Sequence, residues 1–138
     1  MTPLRREDYA LLVVAARAIV IAAGNVSAEA QLNESRTAAA IWDAPPIDAT
    51  GETWGDEIYF DIGLTVDPES PRDVVGIGDL AYWPPGRAFC IFFGPTPLSR
   101  GAAIRPASPV NLVGRIVGDA RVFKRVSAGT RVTLRRAP

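Results

Sequence analysis

The sequence predicts a mainly β protein, folded as one closed barrel with two short helices. Three observations carry this reading. Short apolar or alternating runs recur at close spacing along most of the chain. Twelve glycines and twelve prolines are scattered among them, which favours short strands joined by turns over long helices. A chain of 138 residues, 48% of them hydrophobic, is also enough for one domain with a core of its own.

Residues 1–30 imitate a secretory signal. Arg5 and Arg6 resemble a charged start, residues 10–23 are apolar, and Ala28-Glu29-Ala30 has a small-x-small pattern. Arg17 interrupts the apolar stretch, however, and Glu7 and Asp8 neutralise the start. The preferred reading is a hairpin, with strands at 17–23 and 26–33 around Gly24-Asn25. Residues 1–15 then form an N-terminal extension and residues 16–138 the barrel domain, and the chain is expected in the cytoplasm. Residues 34–43 read as a short helix with Asn33 as its N-cap, stopped by Pro45-Pro46. Ile58, Phe60 and Ile62 alternate with polar residues, as in a strand with one buried face. Two apolar runs at 80–83 and 88–93, joined by Pro84-Pro85-Gly86, follow; the second is expected to be central and covered on both sides. Residues 110–117 give a strand with Asn111 and Arg115 opposite Leu112 and Ile116. Residues 119–126 give a short capped helix, and 130–135 a last strand.

Formal charge is zero, from fifteen basic and fifteen acidic residues, so nothing asks for a nucleic-acid or anionic-membrane partner. The distribution is uneven. Residues 43–79 hold ten acids against Arg72 alone, and residues 80–138 hold ten basic residues against Asp119 alone. Mutual compensation within one barrel is the preferred explanation, and a steering field the other. There is no histidine, which excludes a Ser-His-Asp triad, a Cys-His pair and histidine-ligated metals. Cys90 is the single cysteine, so it has no intrachain disulfide partner, and it reads as a small buried hydrophobe. No metal-ligand spacing or cofactor motif is present; Gly76-Ile77-Gly78 is a turn before a strand, not a phosphate loop.

Three segments then carry a resemblance. Trp54-Gly55-Asp56-Glu57-Ile58-Tyr59-Phe60, Gly78-Asp79-Leu80-Ala81-Tyr82-Trp83-Pro84-Pro85-Gly86 and Cys90-Ile91-Phe92-Phe93-Gly94-Pro95-Thr96-Pro97 resemble a small prokaryotic cyclophilin-like family of undetermined function. Ala107-Ser108-Pro109-Val110-Asn111 and Gly114-Arg115-Ile116-Val117-Gly118-Asp119 are similar to its C-terminal part. The resemblance implies an eight-stranded closed barrel with a helix at each end and a binding groove on its outer face. True cyclophilins use an arginine there to polarise the prolyl amide. Their Phe-His-Arg signature has no counterpart here, since Asp61-Ile62-Gly63 follows Tyr59-Phe60.

Glu57 and Tyr59 share the outward face of their strand. Two readings stand: floor and rim of a ligand pocket, or a packing aromatic beside an ion-paired acid. Tyr82 is assigned to the site, whereas Trp83 and the prolines are read as a stiffened turn. Trp54, Phe92, Thr96 and Asn111 complete the candidate ligand-binding set, without catalytic residues. The function expected is a domain binding a small molecule or an extended peptide, without cofactor, nucleic acid or membrane. The alternative is an enzyme, either a weak prolyl isomerase or a histidine-free hydrolase or isomerase using Glu57, Tyr59 or Tyr82.

Overall fold

The computed structural model describes residues 17–138. The extension assigned to residues 1–15, and the start of the signal-like segment, lie outside the described residues. The hairpin expected next is present. Strand β1 (Ala18–Ala23) turns at Gly24-Asn25 into β2 (Val26–Leu32), with Gly24 at φ 60°. Ile19, Ile21 and Ala23 point into the core, so residues 18–23 of the signal-like stretch are a barrel strand.

Helix α1 spans Arg36–Trp42. Its N-cap is Ser35, not Asn33, because the first turn begins two residues later than the sequence pattern suggested. The Ser35 hydroxyl accepts from the Ala38 N–H at 3.0 Å. Asn33 instead accepts from the Ser35 N–H at 3.0 Å and donates to the Leu112 carbonyl at 2.9 Å. That ties the helix start to the barrel wall.

The remaining strands are β3 (Ile47–Thr50), β4 (Glu52–Thr53), β5 (Glu57–Asp61), β6 (Asp79–Trp83), β7 (Ala88–Phe92), β8 (Asn111–Ile116) and β9 (Arg131–Arg136). They form one sheet in the order β3-β9-β1-β2-β8-β6-β7-β5-β4, with all pairs antiparallel. The two edges, β3 and β4, are separated in the chain by Gly51 alone. Residues 47–53 are thus one bent strand that closes the sheet on itself, and counted that way the barrel has eight strands. At the bend the Gly51 N–H donates to the Thr130 carbonyl at 2.8 Å. A Cβ at that position would lie 2.7 Å from the Val132 Cγ2, so only glycine fits the corner.

The interior is filled by inward residues of every long strand, among them Ile19, Leu32, Phe60, Leu80, Ile91 and Leu134. Ala38 and Ile41 of α1 enter this cluster, as do Ala120 and Phe123 of a short 3-10 helix, Ala120–Arg125. These two helices serve opposite ends of β6. Thr37 reaches Asn111, which pairs with Tyr82, whereas Ala120 lies against Gly78 just before Asp79. Strand β7 is buried along its whole length, as its continuous apolar run predicted.

A second apolar cluster lies on the outside of the wall. Ala81, Ala88, Cys90 and Phe92 point outward and meet Val75, Ile104 and Val110. Those three come from the segments before β6 and β8, which are joined by the Val75 N–H to the Ile104 carbonyl at 2.9 Å.

The alternation assumed for β8 fails, because its pairing with β6 shifts register between Leu80 and Ala81. Across that bulge Asn111 and Val113 point inward while Leu112 joins the outer cluster, so Asn111 and Arg115 do not share a face. The uneven charge is compensated within the barrel: Asp43 pairs with Arg136, Asp48 with Arg131, Asp56 with Lys124, Asp61 with Arg87 and Asp79 with Arg115. Among the described residues, no helix is long and apolar enough to cross a membrane.

Candidate functional site

Closure of the barrel gives each strand one inner and one outer face, and the outer face of β5 begins the site. Glu57 and Tyr59, two apart, both point outward. Opposite them on β7 are Phe92 and Cys90 respectively. Trp54 stands in the turn between β4 and β5, where its N–H donates to the Glu57 carbonyl at 2.9 Å. The same turn is held from outside: the Asp56 N–H donates to the Pro95 carbonyl at 2.9 Å, with Gly55 at φ 60° allowing the close approach.

From β6 comes Trp83. Its indole N–H donates to the Ser108 hydroxyl at 2.6 Å. Its ring lies against Gly86, where a Cβ would meet the ring at 2.7 Å. The indole is therefore fixed from both sides. Pro106, Ala107 and Val110 of the segment before β8 form the far wall. Together these groups enclose a half-open cavity of about 210 Å³, lined by Trp54, Glu57, Tyr59, Trp83, Pro106, Ala107 and Val110.

The electrostatics centre on Glu57. The residue is only 6% exposed, and none of the ion pairs among the described residues involves it. Burial pushes its carboxyl from the ordinary 4.5 up to about 7; a hydrogen bond with the Cys90 thiol works the other way and loses. Burial and the adjacent Glu57 charge in turn push the Cys90 thiol well above its ordinary value. Cys90 is thus a poor thiolate and a poor nucleophile.

The candidate residues divide clearly. Trp54, Glu57 and Tyr59 meet in the cavity. Tyr82 does not, and this corrects the expectation that it faced outward. Leu80 and Tyr82 are two apart and share the inner face, leaving Tyr82 wholly buried. Its hydroxyl donates to the Leu64 carbonyl at 2.6 Å and accepts from the Val66 N–H at 3.0 Å. It is accordingly unavailable to a ligand or as an acid or base. Phe92 lies on the outer face but is covered by the second cluster. Thr96 is buried within its own loop, its hydroxyl donating to the Arg105 carbonyl and its N–H to the Ser99 hydroxyl at 2.9 Å.

Asn111 belongs to a polar plug at the barrel end. It accepts from the Glu69 N–H at 2.8 Å and donates to the Thr37 hydroxyl at 3.1 Å and the Asp67 carbonyl at 3.0 Å. The Glu69 carboxylate accepts from the Arg36 N–H at 3.0 Å, the Thr37 N–H at 2.9 Å and the Thr37 hydroxyl at 2.7 Å. Those bonds hold its carboxyl down at about 2.

Trp83, Pro106, Ala107 and Val110 are the lining residues that the sequence reading missed. The signal for Trp83 was present: once Leu80 is fixed as core, strict alternation sends Ala81 and Trp83 outward. Nothing local marked Pro106 and Ala107, which reach the cavity through a long loop. Among the described residues, no group of three or more potential metal-ligating side chains converges.

The arrangement can hold a compact molecule between aromatic walls and offer it one carboxyl group. No curated protein matches the chain. The solution structure of a hypothetical protein from Archaeoglobus fulgidus is similar, with 43% sequence identity and a TM-score of 0.76 over 89% of this chain and 96% of that one. The family model described as Cyclophilin-like matches residues 17–135, which takes in all of the barrel wall except its last residue and every residue lining the cavity. On that evidence the chain belongs to the cyclophilin-like family.

Proposed function

We propose that this domain binds a small organic molecule, or one side chain of an extended peptide, in the outer-face cavity. The observation that carries the reading is a buried carboxyl group facing a half-open cavity walled by Trp54, Tyr59 and Trp83. Rigid aromatic walls with few polar groups are the usual make-up of a small-molecule site. The indole of Trp83 is positioned before any ligand arrives, which lowers the ordering cost of binding.

A second reading has one observation in its favour. An acid that titrates near 7 suits general acid–base catalysis, so Glu57 could serve an enzyme, with Tyr59 beside it. Prolyl isomerisation is not the reaction this favours. Asp61 or Ile62 stands where the resemblance to true cyclophilins would put a cation, and Asp61 pairs with Arg87 at 3.1 Å. Arg115 pairs with Asp79 at 3.3 Å, and neither these arginines nor Arg105 line the cavity. In this reading the domain works in the cytoplasm. Strands β1 and β2 lie inside the sheet, between β9 and β8, and cleavage after Ala30 would remove β1 and all but the last two residues of β2 and expose two edges.

Four outcomes are expected. In a thermal-shift screen of small organic compounds, ligands of the cavity raise the melting midpoint, and Trp54→Ala or Trp83→Ala removes the rise. Hits that survive both substitutions would place the binding site elsewhere.

Glu57 gives a pH signature. Its carboxyl is protonated in the folded state up to about 7 but ionises near 4.5 when unfolded. The stability it contributes is therefore complete below pH 4.5 and lost as pH rises through 7. The loss is up to roughly 3 kcal/mol. No histidine titrates in that window to confuse the reading. Urea denaturation from pH 5 to 8 should show this decline in the native sequence and not in Glu57→Gln; parallel curves would remove the buried-acid argument.

In a protease-coupled assay on a proline tetrapeptide, the domain is expected to fall more than about tenfold below a true cyclophilin at equal concentration. Comparable activity that is abolished by Arg87→Ala, Arg105→Ala or Arg115→Ala would restore the isomerase. Mass spectrometry of the native protein should find a chain that retains β1; a start beyond residue 25 would overturn the cytoplasmic placement.

A further inference from the structure

We propose that the occupant of the outer-face cavity is an organic ammonium ion, walled by Trp54, Tyr59 and Trp83 and neutralised by Glu57. The inference rests on the binding reading above and narrows it to one ligand chemistry.

Two sets of facts point to a cation. The first concerns the rings. The aromatic pairs among the described residues are Phe60 with Phe89 and Phe93 with Phe123, both in the barrel interior. None of the three cavity rings pairs with another aromatic ring among the described residues, and each presents part of its surface to the cavity, where a guest can meet it. A cation is drawn to such faces, most strongly to indole.

The second concerns charge. The chain carries fourteen arginines and one lysine. Among the described residues those cations form seven ion pairs, and one of them, Arg136, also stacks over Trp42 at 4.3 Å. None goes to Glu57 or to the cavity rings. Among the described residues, a chain so rich in guanidinium groups sets none of them against the buried Glu57 carboxyl or the three adjacent rings. An external ammonium ion completes both.

The groups facing Glu57 do not compete for that role. Tyr59 shares its face on β5, and Cys90 lies diagonally across on β7. Glu52, opposite Tyr59 on β4, is an exposed acid that does not line the cavity. Trp83 approaches from β6, and Pro106, Ala107 and Val110 from the far wall, none of them titratable. Lys124 is held by Asp56 at 3.7 Å, and the Asp56 carboxylate lies against Gly94, neither residue lining the cavity.

Binding carries a proton balance. When the carboxyl holds its proton, an arriving cation displaces it to solvent and leaves the carboxylate as counter-ion. Affinity for a cation must then rise with pH until Glu57 is ionised in the free protein.

The test uses choline and its uncharged isostere, in which a tert-butyl group replaces the trimethylammonium. Binding is followed by tryptophan fluorescence and by the amide and indole N–H signals of Trp54 and Trp83. Choline is expected to bind at least about tenfold more tightly than the isostere. Glu57→Gln should erase the difference, and choline affinity should climb between about pH 5 and 7 before levelling. Equal binding of the two probes, or an affinity for choline that falls as pH rises, overturns the cation assignment. So does silence from both probes. If compounds from the thermal-shift screen still depend on Trp54 and Trp83, the cavity reading survives that failure; if none does, both fall.

Discussion

Residues 47–53 must satisfy both edges of the sheet at once, and the barrel exists because the chain can bend there. On one side of Gly51 the backbone pairs with β9, and on the other with β5. Left open, each edge would present unpaired backbone groups to water or to other chains. The bend tolerates no side chain, since a Cβ would press on the Val132 methyl and approach the Thr130 carbonyl. One glycine thus turns an open sheet into a closed wall. Closure then dictates the rest: every strand acquires an inside and an outside, and a residue's neighbour is sent to the opposite side.

The outside of this wall is not uniformly polar, and the cavity follows from that. Ala81, Ala88, Cys90 and Phe92 present an apolar patch that would be costly if left in water. Two long segments fold over it and bring Val75, Ile104 and Val110 as cover. The cover packs against Tyr59 and Trp83 without filling the space between them and Glu57, and that space is the cavity. The site is therefore the unfilled margin of a second, smaller core. Its carboxyl is desolvated by the same apolar layer that shapes it, which is why its acidity departs so far from the usual.

Much of this was legible in the sequence, and the failures have physical causes. The β1–β2 hairpin, the buried β7, the outward Glu57 and Tyr59 and the compensation of charge between the two halves follow from alternation, turn residues and counting. Tyr82 reads as the site residue and Trp83 as part of a turn because the two are aromatic and adjacent, and composition alone does not say which faces inward. Leu80, two residues before Tyr82, does. On β8 the same rule breaks down, since the bulge adds a residue that alternation cannot foresee. Asn111 looked like a ligand contact because it is a polar residue in an apolar run. Its partners Thr37, Asp67 and Glu69 are distant in sequence, so the plug they form is visible only in three dimensions.

The sheet order has a consequence for synthesis. Strand β9 sits between β3 and β1, so no earlier strand can stand in for it. A nascent chain emerging from its N-terminus has both halves of the bent strand in hand long before the partner of the first half exists. Residues 1–79 also carry fourteen acids against five basic residues, a surplus of nine negative charges that residues 80–138 offset. Until those follow, the emerged portion repels itself as well as lacking its seam. The wall therefore locks late, and topology and charge delay it together.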